Sequence, residues 1–225
     1  GMEEVLRDHG IDYFFAATHG IVYATERPRF GVYQPVRCPN GVIALGSDHL
    51  STDAVWSAED GYPSDHSYRD FYRDIGHDLP LDYIGPYLPD GSIRINTGFK
   101  YYAVTGRTDR KRPYDPGAAR RKVLEHADNF IYNQLKRIRR FSGLMDDPPV
   151  ILCPFDAELF GHWWFEGPQW IEALVRRIAE EKELSLTTPS ELGRDPTSYQ
   201  TTQPAFSSWG TKGYSEVWLD GTNDW

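Results

Sequence analysis

Cysteine is nearly absent. Cys38 and Cys153 stand far apart with no CxxC, so neither a disulfide framework nor a thiolate metal site is encoded. Two isolated thiols fit a reducing cytoplasm, which is the expected location. No run of about 18 apolar residues occurs, so no membrane-spanning helix or membrane partner is expected. Gly1-Met2-Glu3-Glu4-Val5 lacks the basic, apolar and small-residue progression of a signal peptide. The seven histidines form no H-x-x-x-H or H-x-H pair, so a metal site would have to be assembled from distant segments. A G-x-S-x-G motif is missing, and Gly41 to Ser47 lacks the lysine of a phosphate loop, which leaves serine-hydrolase and nucleotide readings without support. Positive charge is short too. Against 24 Lys and Arg stand 33 Asp and Glu, a net charge of −9, which opposes binding to a phosphate backbone and removes nucleic acid as a partner.

Apolar and aromatic material is present in quantity: 40% of residues are hydrophobic and 14% aromatic, enough for one large domain with a real core. Met2 to His9 reads as a helix with Met2, Val5 and Leu6 on one face and Gly10 at its left-handed end. Ile11 to Thr18 is a short apolar run of the kind buried in a parallel sheet, delivering His19 at its C-terminal end. Asn40-Gly41 between two β-prone runs predicts a hairpin, read as a loop insertion. Ser57 to Tyr87 predicts a long irregular excursion on the rim of a binding cleft, followed by a strand near Phe99 to Val104. Asp115-Pro116 opens the clearest helix, which ends at Gly143. Val123, Leu124, Ala127, Phe130, Ile131, Leu135, Ile138 and Phe141 form its buried stripe, while its Arg and Lys residues, Arg137 among them, read as a solvated face. A strand over Pro149 to Phe155, a helix from about Pro168 to Glu181 burying Trp170, Ile171, Leu174, Val175 and Ile178, and a strand at Leu184 to Leu186 predict a mainly parallel α/β sheet. Gln203 to Trp225 reads as a surface segment.

The segment Phe155 to Pro168 is richest in reactive and aromatic side chains. In α/β sheets ligands gather at the C-terminal ends of strands, which is where Asp156 falls. Surrounded by Phe155, Phe160, Trp163 and Trp164, it would be partly desolvated and able to donate a proton. The alternative is that Asp156 or Glu158 caps the following turn and the aromatics are core. Carboxylates with stacking aromatics suggest glycoside chemistry. Glu158 shares a face with Asp156 only if the strand persists, and reads as a supporting residue rather than a nucleophile. Cys153 reads as an inert core thiol.

Asp156-Ala157-Glu158-Leu159-Phe160-Gly161-His162-Trp163-Trp164 with Glu166-Gly167-Pro168 resembles the signature of glycoside hydrolase family 57, and within it the 1,4-α-glucan branching enzymes. Gly10 to Phe15 with Thr18-His19-Gly20, Val55-Trp56-Ser57 with Gly61-Tyr62-Pro63, Phe99 to Tyr102 with Thr105-Gly106, and Ser207 to Gly210 resemble the same enzymes in the same order. The resemblance implies an α/β fold that is a portion of an incomplete (β/α)7 barrel, with mainly parallel strands plus helical and loop insertions. It implies a retaining enzyme that cleaves an α-1,4-glucan such as amylose and transfers the piece to a 6-hydroxyl, without metal or cofactor. Asp156 would be the general acid/base. His19, Trp56, Glu158, His162, Trp164, Trp209 and Trp218 would bind substrate, and Tyr33 would correspond to an aromatic on a mobile active-site loop. The family's nucleophilic Glu is expected before the helix at Met2 to His9, and a helical region after the Trp-rich segment. Residues 1–225 are thus expected to be a partial catalytic domain, without the nucleophile-bearing N-terminal part and the C-terminal helical part. The alternatives are a 4-α-glucanotransferase or α-amylase of the same family, or a non-catalytic glucan-binding remnant.

Overall fold

The computed structural model of the chain describes residues 1–57 and 59–222, the side chain of Thr211 excepted. In chain order the elements are α1 (Met2–Asp8), β1 (Tyr13–Ala16), α2 (Thr18–Val22), β2 (Val36–Arg37), β3 (Ile43–Gly46), α3 (His49–Trp56), α4 (Ile75–Asp78), α5 (Leu81–Ile84), α6 (Pro116–Ser142), α7 (Gly167–Glu180) and α8 (Pro189–Leu192). They build two units, one of Gly1–Thr52, Asn133–Pro154 and Glu183–Trp225, the other of Asp53–Tyr132 and Phe155–Lys182. Among the described residues no helix is long and apolar enough to cross a membrane.

The first unit holds a three-stranded mixed sheet in the order β1-β3-β2. β1 runs parallel to β3, Tyr13 opposite Ile43 through Ala16 opposite Gly46, and β2 runs antiparallel to β3. The hairpin at Asn40-Gly41 forms, with Gly41 at φ +94°. It is no loop insertion, however. β3 is the central strand and is buried at all four positions, because Ile43-Ala44-Leu45-Gly46 has no polar side chain to turn towards water. Ala16, Ile21, Val32, Val36, Cys38, Val42 and Ala44 form the core, against which Leu6 and Phe14 pack. Of the face expected for α1 only Leu6 is engaged, while Met2 and Val5 stay exposed. Gln200 and Thr202 bond to the outer edge of β2. The Arg37 N–H donates to the Gln200 carbonyl at 3.0 Å and the Thr202 N–H to the Arg37 carbonyl at 3.0 Å, so that edge is covered.

Two expected strands of this unit do not form. Leu152 makes a single parallel bridge with Ser47 because Pro148, Pro149 and Pro154 have no N–H to extend a ladder. Leu184 to Leu186 is irregular with Leu186 exposed, since strand propensity alone supplies no partner edge. Cys38 and Cys153 are free, and burial pushes their thiols up to about 11 and about 12. Both stay protonated and unreactive near neutral pH.

The second unit is organised around aromatic rings. Trp164, Trp170 and Tyr68 are each 1% exposed, with Trp164 5.5 Å from Trp170 and 5.6 Å from Tyr68 between ring centroids. α6 begins as expected: the Asp115 carboxylate accepts the N–H groups of Gly117 at 2.8 Å and Ala118 at 3.1 Å. Along α6, Ala119, Val123, Ala127, Phe130 and Ile131 are buried, whereas Leu124 is exposed. In α7 Trp170 and Ala173 are buried, and Ile171 and Val175, expected inside, are exposed. The predicted strand near Phe99 to Val104 reduces to isolated bridges at Tyr102 and Ala103. Of the expected excursion Ser57 to Tyr87, residues 59–87 are irregular, broken by the single turns α4 and α5. Asp74 ties it down. Its buried carboxylate accepts the N–H groups of Gly76, Thr97 and Gly98 at 2.9, 3.0 and 2.9 Å, with the Lys100 ammonium 3.6 Å away. Burial alone would raise its pKa, but these donors outweigh it and hold Asp74 at about 2.

Candidate active site

Asp156 lies just before the 3-10 turn Ala157–Leu159, and its carbonyl accepts the Leu159 N–H at 3.2 Å. Its carboxylate makes no capping hydrogen bond, which removes the capping alternative for this residue and leaves a half-buried acid. The chain turns here, so Glu158 does not continue a strand with Asp156, and it is exposed. Next comes a tight loop: Gly161 has φ +93°, its N–H donates to the Trp164 carbonyl at 2.8 Å, and the Trp164 N–H donates to the Leu159 carbonyl at 2.8 Å. This loop turns two adjacent tryptophans in opposite directions.

Trp163 is 41% exposed and Trp164 1%. The substrate-binding role expected for Trp164 is therefore corrected. Its indole is enclosed by Tyr68, Phe160 and Trp170, and no ring face remains for a sugar. Trp163, expected only as one of the rings beside Asp156, is the neighbour whose ring stays open to solvent. The half-buried Trp56 packs edge-on against it at 6.2 Å, and the exposed His162 lies 6.3 Å from Trp163 and 5.2 Å from Phe71. A run of partly exposed rings thus follows Asp156 within the second unit.

Glu166 is a residue to which sequence reasoning gave no role. It is fully buried and accepts the Arg69 N–H at 3.1 Å, while the Arg69 guanidinium lies 3.6 Å from the Phe165 ring centre. Burial raises its pKa, partly offset by the Tyr114 hydroxyl and the Arg69 N–H. The sequence signals were its place in the Glu166-Gly167-Pro168 part of the family signature and a charge one position before a helix-opening Gly-Pro.

His19, Trp209 and Trp218 belong to the first unit. His19 sits in α2, its ring against Tyr214 and its Nε2 2.9 Å from the Gly213 carbonyl. Trp209 and Trp218 are 60% and 61% exposed with ring centroids 6.4 Å apart. The half-buried Tyr33 stacks on Phe141 at 4.4 Å and donates its hydroxyl to Asp48 at 3.3 Å. Asp48 is 2% exposed, accepts from Ser51 and lies 3.6 Å from Arg137 Nε. Arg137 thus leaves the solvated face expected for it, because a buried carboxylate needs a compensating charge.

No family model matches the chain. The probable 1,4-alpha-glucan branching enzyme of Mycobacterium tuberculosis is 32% identical over 180 residues, covering 79% of this chain and 30% of its own length. Among solved structures, the alpha-amylase AmyC of Thermotoga maritima superposes with a TM-score of 0.86 at 42% identity over 94% of this chain and 41% of its own. The GH57-type branching enzyme of Pyrococcus horikoshii superposes with a TM-score of 0.82 at 28% identity over 98% and 37%. The chain spans about a third of the length of the curated relatives it matches. Over nearly all of its own length, this chain is a relative of the glycoside hydrolase family 57 enzymes, branching enzymes among them.

Proposed function

We propose that the chain is a portion of a retaining α-glucan-active enzyme that cleaves an α-1,4-glucan and transfers the fragment to a 6-hydroxyl, within an incomplete (β/α)7 barrel. Asp156 is the general acid/base. It protonates the glycosidic oxygen as that bond breaks, while a carboxylate nucleophile takes up the anomeric carbon; it then accepts the proton of the incoming 6-hydroxyl as the new bond forms. Trp56, Trp163, Trp209 and Trp218 supply stacking faces for the glucan, and Glu158 and His162 supply polar contacts. The observation that carries the reading is the segment after Phe155. There a half-buried carboxylate, engaged in no capping bond, is followed within seven residues by an exposed carboxylate, an exposed imidazole and an exposed indole.

Asp156→Asn in the enzyme that carries this chain lowers turnover of amylose at least a hundredfold while maltoheptaose affinity stays within threefold, since proton transfer is lost and the stacking faces remain. Retained turnover would sink the assignment. Hydrolysis is the second reading, favoured by the 42% identity to an alpha-amylase against 28% and 32% to branching enzymes. New α-1,6 anomeric protons by NMR support transfer, and reducing ends without them support hydrolysis.

A further inference from the structure

His19 stands at the C-terminal end of β1, yet its imidazole is engaged by the segment that carries Trp209 and Trp218. Nε2 is 2.9 Å from the Gly213 carbonyl, which can only accept, so Nε2 carries the proton. The ring centre is 4.8 Å from that of Tyr214. Gly213 has φ +81°, and a Cβ on it would stand 2.5 Å from His19 Cε1, so both backbone and ring demand glycine there. Next to His19, Gly20 is as tightly matched: a Cβ would collide with Ser207, and its carbonyl accepts the Ala205 N–H at 2.8 Å. The held segment is itself strained, with Lys212 at φ 65° and Ser215 at φ 71°. Such conformations persist when surrounding contacts enforce them.

We infer that the Thr18-His19-Gly20 turn is a latch for the segment 205–218, and that His19 is a positioning residue acting through Trp209 and Trp218 rather than a group that touches substrate. What the indole pair binds rests on the α-glucan reading above; the latch does not. Released from His19, the segment loses its hold at the Gly213 carbonyl and the Tyr214 ring and is left with its internal bonds linking Ser208 to Gly213 and Ser215, so the two indoles lose their fixed spacing.

Two readouts test this. Lys212 is exposed, so trypsin cleavage after it reports release. Maltoheptaose affinity, read from tryptophan fluorescence, reports the indole pair. His19→Ala speeds cleavage at least tenfold and weakens maltoheptaose about tenfold. His19→Gln, whose amide nitrogen reaches the place of Nε2, restores both to within threefold. Gly213→Ala disturbs the latch from the other side and also speeds cleavage, which guards against a folding defect peculiar to position 19. On a Trp209→Ala background, His19→Ala costs less than a further twofold in affinity, because the two act as one unit. Unchanged cleavage in both His19→Ala and Gly213→Ala overturns the latch. A full multiplicative loss in the double variant overturns indirect action in favour of direct contact. Accelerated cleavage without any maltoheptaose binding by the parent supports the latch and overturns the glucan reading.

Discussion

Glu166 and Asp74 are both buried carboxylates, and their surroundings drive them in opposite directions. Burial outweighs the donors at Glu166 and raises its pKa above the usual 4.5. Its contribution to stability is then fully present below the unfolded value and is lost as pH rises through the folded one. Asp74, which accepts from three backbone N–H groups and the Thr97 hydroxyl, contributes above 3.8 and loses that contribution as pH falls through about 2. Glu166→Gln has no such titration, so the melting temperature of the variant minus that of the parent increases as pH is raised from 4 to 8, by a few degrees for each ~1 kcal/mol. A difference that does not change with pH would count against a raised Glu166. Sequence made the reactive segment legible but not the fate of each side chain in it. Trp163 and Trp164 are chemically identical neighbours, and only the left-handed turn at Gly161 with its two backbone bonds decides that one faces water and the other the core.

At the scale of elements, α1, α6, α7 and the three strands that form were legible, whereas α2 to α5 and α8 were not and three further expected strands do not form. α6 announces its start through Asp115-Pro116, its buried face through a local spacing of three and four, and its end before Gly143; all of this lies within one continuous stretch. Replacing Asp115 by Ala removes the acceptor for two N–H groups and costs about 1 kcal/mol, a fall of roughly 2–4 °C in a thermal melt. An unchanged melt would mean that solvent serves those groups equally well. Strands depend on what lies beside them. Ile43 to Gly46 became the central strand because β1 and β2 both reach it, whereas Val150 to Cys153, of similar composition, is hemmed by prolines and gains one bridge. The α7 stripe shows the same limit on the helical side: periodicity located the helix, but Ile171 and Val175 remain in solvent because the element packs mainly through Trp170 and Ala173.

For the whole molecule the decisive fact is that the first unit is assembled from three separated stretches, and the second from two that lie between them in sequence. All of the second unit, Asp53–Tyr132 and Phe155–Lys182, has been synthesised before the last stretch of the first begins. Pulse proteolysis during synchronised translation therefore finds protection of the second unit before that of residues 1–52, and simultaneous protection would contradict this order. The edge of β2 makes the delay concrete. Its cover comes from Gln200 and Thr202, and Arg37 and Thr201 are 164 positions apart, so at ~5–20 residues per second the strand waits roughly 8–33 s for its partner. During that interval Arg37 presents an unpaired N–H and carbonyl that a neighbouring chain on the same messenger could occupy instead. Exposure to such mispairing is governed by the speed of the ribosome, and the stability of the finished fold has no influence on it.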